Sequence, residues 1–323
     1  IKDGFMIVAL AWIVLSAIGA LPFVFSKEIP SYIDAFFETV SGFTTTGATI
    51  LADVEALSRG MLFWRGFTHW IGGMGILVFV VMLVNTPDRS INILKAEMPG
   101  PTVDKLVPKS KDTARTLYII YTALTALEVI FLLLGGMSLF DSVVHALSTA
   151  GTGGFGAYNA SAANFSPYIQ WVLTVFMFLF AINFNLFYLI LLGRMRDVFR
   201  NTEFRVYLAI VLVSVAVITV EIMPLYRTFS DSLRQAAFQV ASVISTTGFI
   251  TADFTVWTPL SKVLLLGLMF VGGCAGSTAG GLKVSRVAIL FKMMRRELRH
   301  TLRPRVVDVI KMDGRRLDEQ TAH

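Results

Sequence analysis

Charge is scarce in this sequence. Only 15% of its 323 residues are Asp, Glu, Lys or Arg, where soluble domains carry about 25%. Cysteine is scarcer still. The single Cys274 excludes an intrachain disulfide, and its apolar, Gly-rich surroundings argue against redox chemistry. The four histidines (His69, His145, His300 and His323) are scattered, and neither HExxH nor GxxxxGKS/T occurs. Zinc-hydrolase and P-loop chemistry lose their usual signatures, and the chain reads as a non-enzyme without a bound cofactor. The net charge of +6 suggests nucleic acid at first sight. However, Lys and Arg cluster in short segments between apolar runs, the pattern of cytoplasmic loops, so no nucleic-acid partner is expected.

What the sequence has in abundance is apolar length. Hydrophobic residues make up 55%, and the mean hydropathy is +0.68. Long runs lie near Phe5–Phe25, Met61–Val84, Thr116–Gly136, Pro167–Leu192, Arg205–Met223 and Pro259–Gly273. Many reach the roughly 18–20 residues that span a bilayer. An all-α polytopic membrane protein is expected, with the lipid bilayer as its surroundings. Ile1 is not a start residue and no charged region precedes the first run, so the chain reads as an excised portion of something longer without a cleavable signal.

After the first, third and fifth runs comes a shorter apolar segment: Ser31–Phe43, Leu139–Ala150 and Asp231–Ile244. Each ends in a Thr/Gly cluster. Placing Ala35–Gly47, Ser142–Gly154 and Ala236–Gly248 side by side aligns Ser41 with Ser148 and Ser242, and Gly47 with Gly154 and Gly248. Orientation follows from charge. Of 28 Lys and Arg, 22 fall at Lys2, Asn85–Arg115, Gly193–Arg205 and the tail from Lys283. Lys27, Arg59, Arg65, Arg227, Arg234 and Lys262 are left for the other side. The short segments are therefore expected to enter from outside, with both termini inside.

A half-length helix followed by Thr-Thr-Thr-Gly suits a re-entrant loop. Non-helical backbone is tolerated at membrane depth only where protein or water satisfies it. The carbonyl end of such a helix favours cations. If the carbonyls that follow point at an axis, they replace a cation's hydration shell. A single Thr/Gly cluster is more simply a surface turn or a packing face; three in register, each after a half-length helix and before a full span, favour a filter. The candidate ion-binding residues are Thr44, Thr45, Thr46 and Gly47, Gly151, Thr152, Gly153 and Gly154, and Ser245, Thr246, Thr247 and Gly248. The glycines would supply φ values that a β-carbon disfavours.

Several stretches carry a family resemblance: Asp34–Ala48, His69–Gly75, Lys95–Pro101, Gly153–Phe155, Ser245–Phe249 and Gly272–Lys283. On these, the chain resembles the Trk/Ktr/HKT superfamily of K⁺ transporters, closest to its bacterial TrkH-type membrane subunits. The resemblance implies repeated helix–pore loop–helix units around a pseudo-fourfold ion pore. K⁺ is then the transported ion, bound at the filter residues above. Each filter loop contributes a glycine, here Gly47, Gly154 and Gly248. A Ser at the first position accompanies Na⁺ preference in plant relatives, so Gly47 favours K⁺.

The resemblance also implies a gate, an intramembrane loop formed by Gly272, Gly273, Cys274, Ala275, Gly276, Ser277, Thr278, Ala279, Gly280 and Gly281. From the residues, its Gly content is poor for a continuous helix, while Gly272–Gly276 also fits a close helix-packing face of the small-xxx-small kind. A bacterial plasma (inner) membrane location, a homodimer and a cytosolic nucleotide-binding regulator (TrkA/KtrA-like) are further implications. Residues 1–90 are expected to form the first repeat, 91–200 a cytoplasmic loop and the second repeat, and 201–292 the third repeat with the Gly-rich loop. Residues 293–323 are then a basic cytoplasmic tail where a fourth repeat would begin. The competing function is a Na⁺-coupled or other secondary cation transporter; three repeats of one orientation count against the inverted repeats common there. Glu38, His145 and Gln239 share one aligned position and are expected to hydrogen-bond behind the loops. Glu128, Asn183 and Asn185 face either a cavity or neighbouring helices. The basic run Phe291–Arg303 reads as a solvated or headgroup-level face, or as a docking surface for the regulator.

Overall fold

A computed structural model describes residues 2–75 and 110–302, with two short segments at 311–312 and 315–316. The end of the run to Val84, the loop from Asn85 to residue 109 with the Lys95–Pro101 motif, and most of the tail beyond Leu302 lie outside the described residues.

The described chain repeats a helix–loop–helix unit three times. The first contains α1 (Lys2–Gly19), α2 (Leu21–Phe25), α3 (Tyr32–Phe43) and α4 (Arg59–Gly73). The second contains α5 (Ser110–Leu134), α6 (Leu139–Gly151), α7 (Pro167–Phe180) and α8 (Phe184–Leu191). After α9 (Met195–Arg200), the third contains α10 (Thr202–Ile222), α11 (Phe229–Ile244) and α12 (Pro259–Val271). The helix α13 (Val284–Leu302) follows, then a small antiparallel hairpin of β1 (Lys311–Met312) and β2 (Arg315–Arg316).

The three short helices α3, α6 and α11 start in one way. Each is preceded by a hydroxyl residue three positions before an Asp: Ser31 and Asp34, Ser138 and Asp141, Thr228 and Asp231. In each, the hydroxyl accepts a hydrogen bond from the Asp N–H. Such a cap is worth about 1 kcal/mol, and the Asp adds charge favourable to the helix N-terminus. The Thr228 hydroxyl in turn donates to Asp231, which holds that carboxyl below its ordinary range. The helices that follow the loops are capped by Ser58, Ser166 and Thr258.

Two described helices, α5 and α10, are each long and apolar enough to cross a membrane. Ile119, Ile130 and Leu134 on α5, and Leu212, Val213 and Val220 on α10, face outward, as a lipid-facing surface requires. One core joins α5, α6 and α7 to Phe238 and Phe249 of the third repeat, and a second joins α10, α11 and α12 to Cys274 and Val284.

Two expectations change. Pro167–Leu192 is not one straight span: it breaks at Ala181–Asn183, and α7 and α8 meet at 93°. The run holds no internal Gly or Pro to announce this. Its freed backbone groups bond to a distant segment, as described below. Arg65 is not an outer-loop charge, being only 2% exposed and paired inside the protein.

Candidate functional site

The three Thr/Gly clusters close their helices alike. In loop 1 the Thr46 N–H bonds back to the Ser41 carbonyl at 2.9 Å; in loop 2 Gly153 bonds to Ser148 at 3.1 Å, and in loop 3 Thr247 to Ser242 at 2.9 Å. This turn needs a left-handed residue just past the helix, a place glycine usually takes. Here it is Thr45, Thr152 and Thr246, with φ of 53°, 54° and 58°. A β-branched residue in that region costs roughly 1–2 kcal/mol. Two residues on, Gly47, Gly154 and Gly248 take φ of 76°, 83° and 87°.

The loops lie side by side in sequence order. A β-carbon on Gly47 would overlap the carbonyl oxygen of Gly153, and one on Gly154 would overlap that of Thr247. Beside Gly248, no described atom lies within 4 Å of that position. Loop 2 also shows why it departs from the others. A hydroxyl pair braces loop 1 internally (Thr44–Thr46, 2.8 Å), and another braces loop 3 (Ser245–Thr247, 2.6 Å). The corresponding residues in loop 2 are Gly151 and Gly153, because His69 of α4 fills that space: β-carbons there would meet its backbone and its ring. His69 Nδ1 lies 3.0 Å from Ser148 Oγ, and its ring stacks on Phe155 at 4.1 Å.

One turn earlier on α4, Arg65 joins loops 1 and 2. Its Nε donates to Glu38 at 2.7 Å, and its other nitrogens donate to the Gly156 carbonyl and the Thr49 hydroxyl, each at 3.3 Å. The guanidinium also lies 4.0 Å from the centre of the Phe155 ring. Glu38 in turn accepts from Thr49 Oγ1 and from the Ile50 N–H. It therefore ties the returning strand of its own loop.

The Gly272–Gly281 segment is non-helical throughout, so the packing-face alternative fails. It plugs the break between α7 and α8. Cys274 N–H bonds to the Ala181 carbonyl at 2.9 Å, Phe184 N–H to the Gly276 carbonyl at 2.9 Å, and Thr278 Oγ1 to the Phe180 carbonyl at 3.1 Å. These contacts answer the need of freed backbone for partners at membrane depth. The segment also reaches loops 2 and 3 directly. Thr152 Oγ1 donates to the Thr278 carbonyl at 2.9 Å, and Thr246 Oγ1 accepts from the Gly280 N–H at 2.7 Å. The left-handed threonines of loops 2 and 3 thus use their hydroxyls on it. A cavity of about 320 Å³ separates the segment from loop 1, lined by Thr44, Thr45, Gly276, Thr278 and Lys283 among others.

The family model described as TrkH, cation transport protein, matches residues 1–323. The chain belongs to the TrkH family. It is 41% identical over 326 residues to the Trk system potassium uptake protein TrkH of Salmonella typhimurium, covering 99% of this chain and 68% of that protein. It is 36% identical to the Trk system potassium uptake protein TrkG of Escherichia coli, over 97% of this chain and 66% of the relative. The crystal structure of the potassium transporter TrkH from Vibrio parahaemolyticus superposes with a TM-score of 0.88 at 36% identity, covering all of this chain and 67% of that one. This TrkH-family chain is thus an all-α polytopic membrane protein of repeated helix–loop–helix units.

The remaining polar residues of this TrkH-family chain divide. The position shared by Glu38, His145 and Gln239 is buried in all three repeats. Glu38 bonds behind its loop, whereas His145 Nδ1 bonds to Asp141 of its own helix. Asn183 caps α8 through the Asn185 N–H, with its Oδ1 beside Gly276, and Glu128 is wholly buried on α5. Lys283 turns at φ 78° and its Nζ donates to the Ala279 carbonyl. Sequence reading did not single out Arg65 or Glu203 for the site. The threefold Ser/Thr-x-x-Asp pattern was a signal for the helix starts, and Asn183 inside an apolar run was one for the break.

Proposed function

We propose that this chain forms the pathway of a bacterial inner-membrane potassium uptake system. K⁺ passes along an axis flanked by residues 44–47, 151–154 and 245–248, whose carbonyls replace its hydration shell. The Gly272–Gly281 segment is the gate across that path. The observation that carries this reading is the succession of loops, with Gly47 against the Gly153 carbonyl and Gly154 against the Thr247 carbonyl. Backbone packed this closely around positive-φ glycines suits a carbonyl-lined ion path. Support for the ion comes from the similar proteins, whose names describe potassium uptake. In this reading the loops open to the outside, the protein works as a homodimer, and a cytosolic nucleotide-binding subunit acts on the gate from within.

The test compares Gly47→Ser with Gly60→Ser in the full-length protein. At Gly60 a β-carbon meets only Ser58 Oγ, at 3.8 Å. At Gly47 it meets backbone and a strained φ together. Gly47→Ser should lower the K⁺/Na⁺ flux ratio by roughly tenfold, the equivalent of 1–2 kcal/mol, while Gly60→Ser leaves it near wild type. Equal ratios in the two variants would remove Gly47 from the filter.

A further inference from the structure

Glu203 stands in the first turn of α10 and is only 6% exposed. Among the described residues it has no ion-pair partner. A carboxylate removed from water is costly unless hydrogen bonds satisfy it. Both bonds to its Oε1 come from backbone that flanks or forms the Gly-rich segment: the Ala275 N–H at 2.7 Å and the Ser285 N–H at 3.1 Å. Ala275 lies within the segment, and Ser285 lies in the first turn of α13, just past its end. One oxygen therefore fastens the way in and the way out.

Lys283 holds the other half through the Ala279 carbonyl. Two opposite charges near one another are thus each committed to segment backbone. Cys274 and Ala279 pack the segment into the core of α10, α11 and α12, but its turns at Gly272, Gly276 and Gly281, all at positive φ, bear no side chains of their own.

We propose that Glu203 is the positioning residue that keeps the Gly272–Gly281 segment in place beneath loops 2 and 3. Its meaning for transport rests on the gate reading above, but the clamp itself is measurable without transport. Hydrogen bonds to a charged acceptor are roughly twice as strong as neutral ones, so a Gln at this position should hold the segment less well and an Ala hardly at all.

The sequence supplies the reporter. Cys274, its only cysteine, lies in the segment and is fully buried. The experiment measures the rate at which a maleimide labels Cys274, located by peptide mass, in folded full-length protein. Cation flux and the K⁺/Na⁺ ratio are then measured in proteoliposomes. Glu203→Ala should label about tenfold faster than wild type, with Glu203→Gln between them. Flux should rise with the K⁺/Na⁺ ratio nearly unchanged, since Glu203 Oε1 bonds to Ala275 and Ser285 and not to the residues of the three loops. Where Glu203→Ala does not fold, Glu203→Gln decides by the same labelling rate. Labelling as slow in the folded variants as in wild type would overturn the proposal. A residue that serves only folding would lower yield yet leave Cys274 protected in molecules that do fold. Faster labelling with unchanged flux would uphold the clamp and reject the gate, so the two readings fail separately.

Discussion

Between loops 1 and 2 lies a buried guanidinium, whereas between loops 2 and 3 lie rings, hydroxyls and backbone. At the first seam Arg65 bonds Glu38 and Thr49 on one side and the Gly156 carbonyl on the other, over the face of Phe155. At the second, Ala162 N–H bonds to the Ile250 carbonyl at 3.0 Å and Ile250 N–H to Ser161 Oγ at 3.1 Å. The His145 ring crosses the seam to within 5.8 Å of that of Phe249, whose carbonyl is held within its own repeat by Ser242 Oγ at 2.6 Å. The first seam adds a buried charged pair to a spread of other contacts, among them Asn159 bonded to Val54, Asp53 and Glu55; among the described residues the second seam has the spread without such a pair. A buried pair adds little net stability over a well-packed apolar one, but loss of either partner strands the other charge. Loss of one charge at the first seam should therefore cost more than loss of any one contact at the second.

The largest expected effect follows from that asymmetry. Glu38→Gln or Arg65→Met alone should destabilise the protein by about 3–5 kcal/mol, read as thermal unfolding in detergent. The double variant should recover most of the loss. Losses that simply add in the double variant would mean that the two side chains act independently, and the contrast between the seams would go.

A smaller effect sharpens the second seam. Gly154→Ala and Gly248→Ala both place a β-carbon at positive φ, at roughly 1–2 kcal/mol. Only at Gly154 does the new atom also meet the Thr247 carbonyl; at Gly248 the space is open among the described residues. Gly154→Ala should disturb the K⁺/Na⁺ flux ratio more, and equal changes would show that loop contact does not matter at this seam.

Much of the fold could be read from local pattern. The short helix expected at Leu139–Ala150 runs Leu139–Gly151, and that expected at Ser31–Phe43 runs Tyr32–Phe43 behind a Ser31 cap. These ends depend on neighbours in sequence, so sequence displays them. The same holds for the positive φ at Gly47, Gly154 and Gly248, which the register of three repeats made visible. What escaped depends on contacts across the chain. Arg65 and Glu38 are 27 residues apart, and Glu203 and Ala275 are 72 apart. Nothing in their spacing says that they meet. The bend in Pro167–Leu192 escaped because the partner of its freed backbone, the Gly-rich segment, lies about a hundred residues downstream. Arg65 was misplaced for a related reason: counting charges between apolar runs assumes each one faces water.

The central claim is that loops 1, 2 and 3 surround one cation path. Anomalous diffraction from crystals of the full-length protein soaked in a thallium salt tests it most directly. The account predicts ordered Tl⁺ among the backbone carbonyls of residues 44–47, 151–154 and 245–248, weakened when Gly47→Ser distorts the first seam. Tl⁺ bound elsewhere in the protein, with none between these loops, would contradict it.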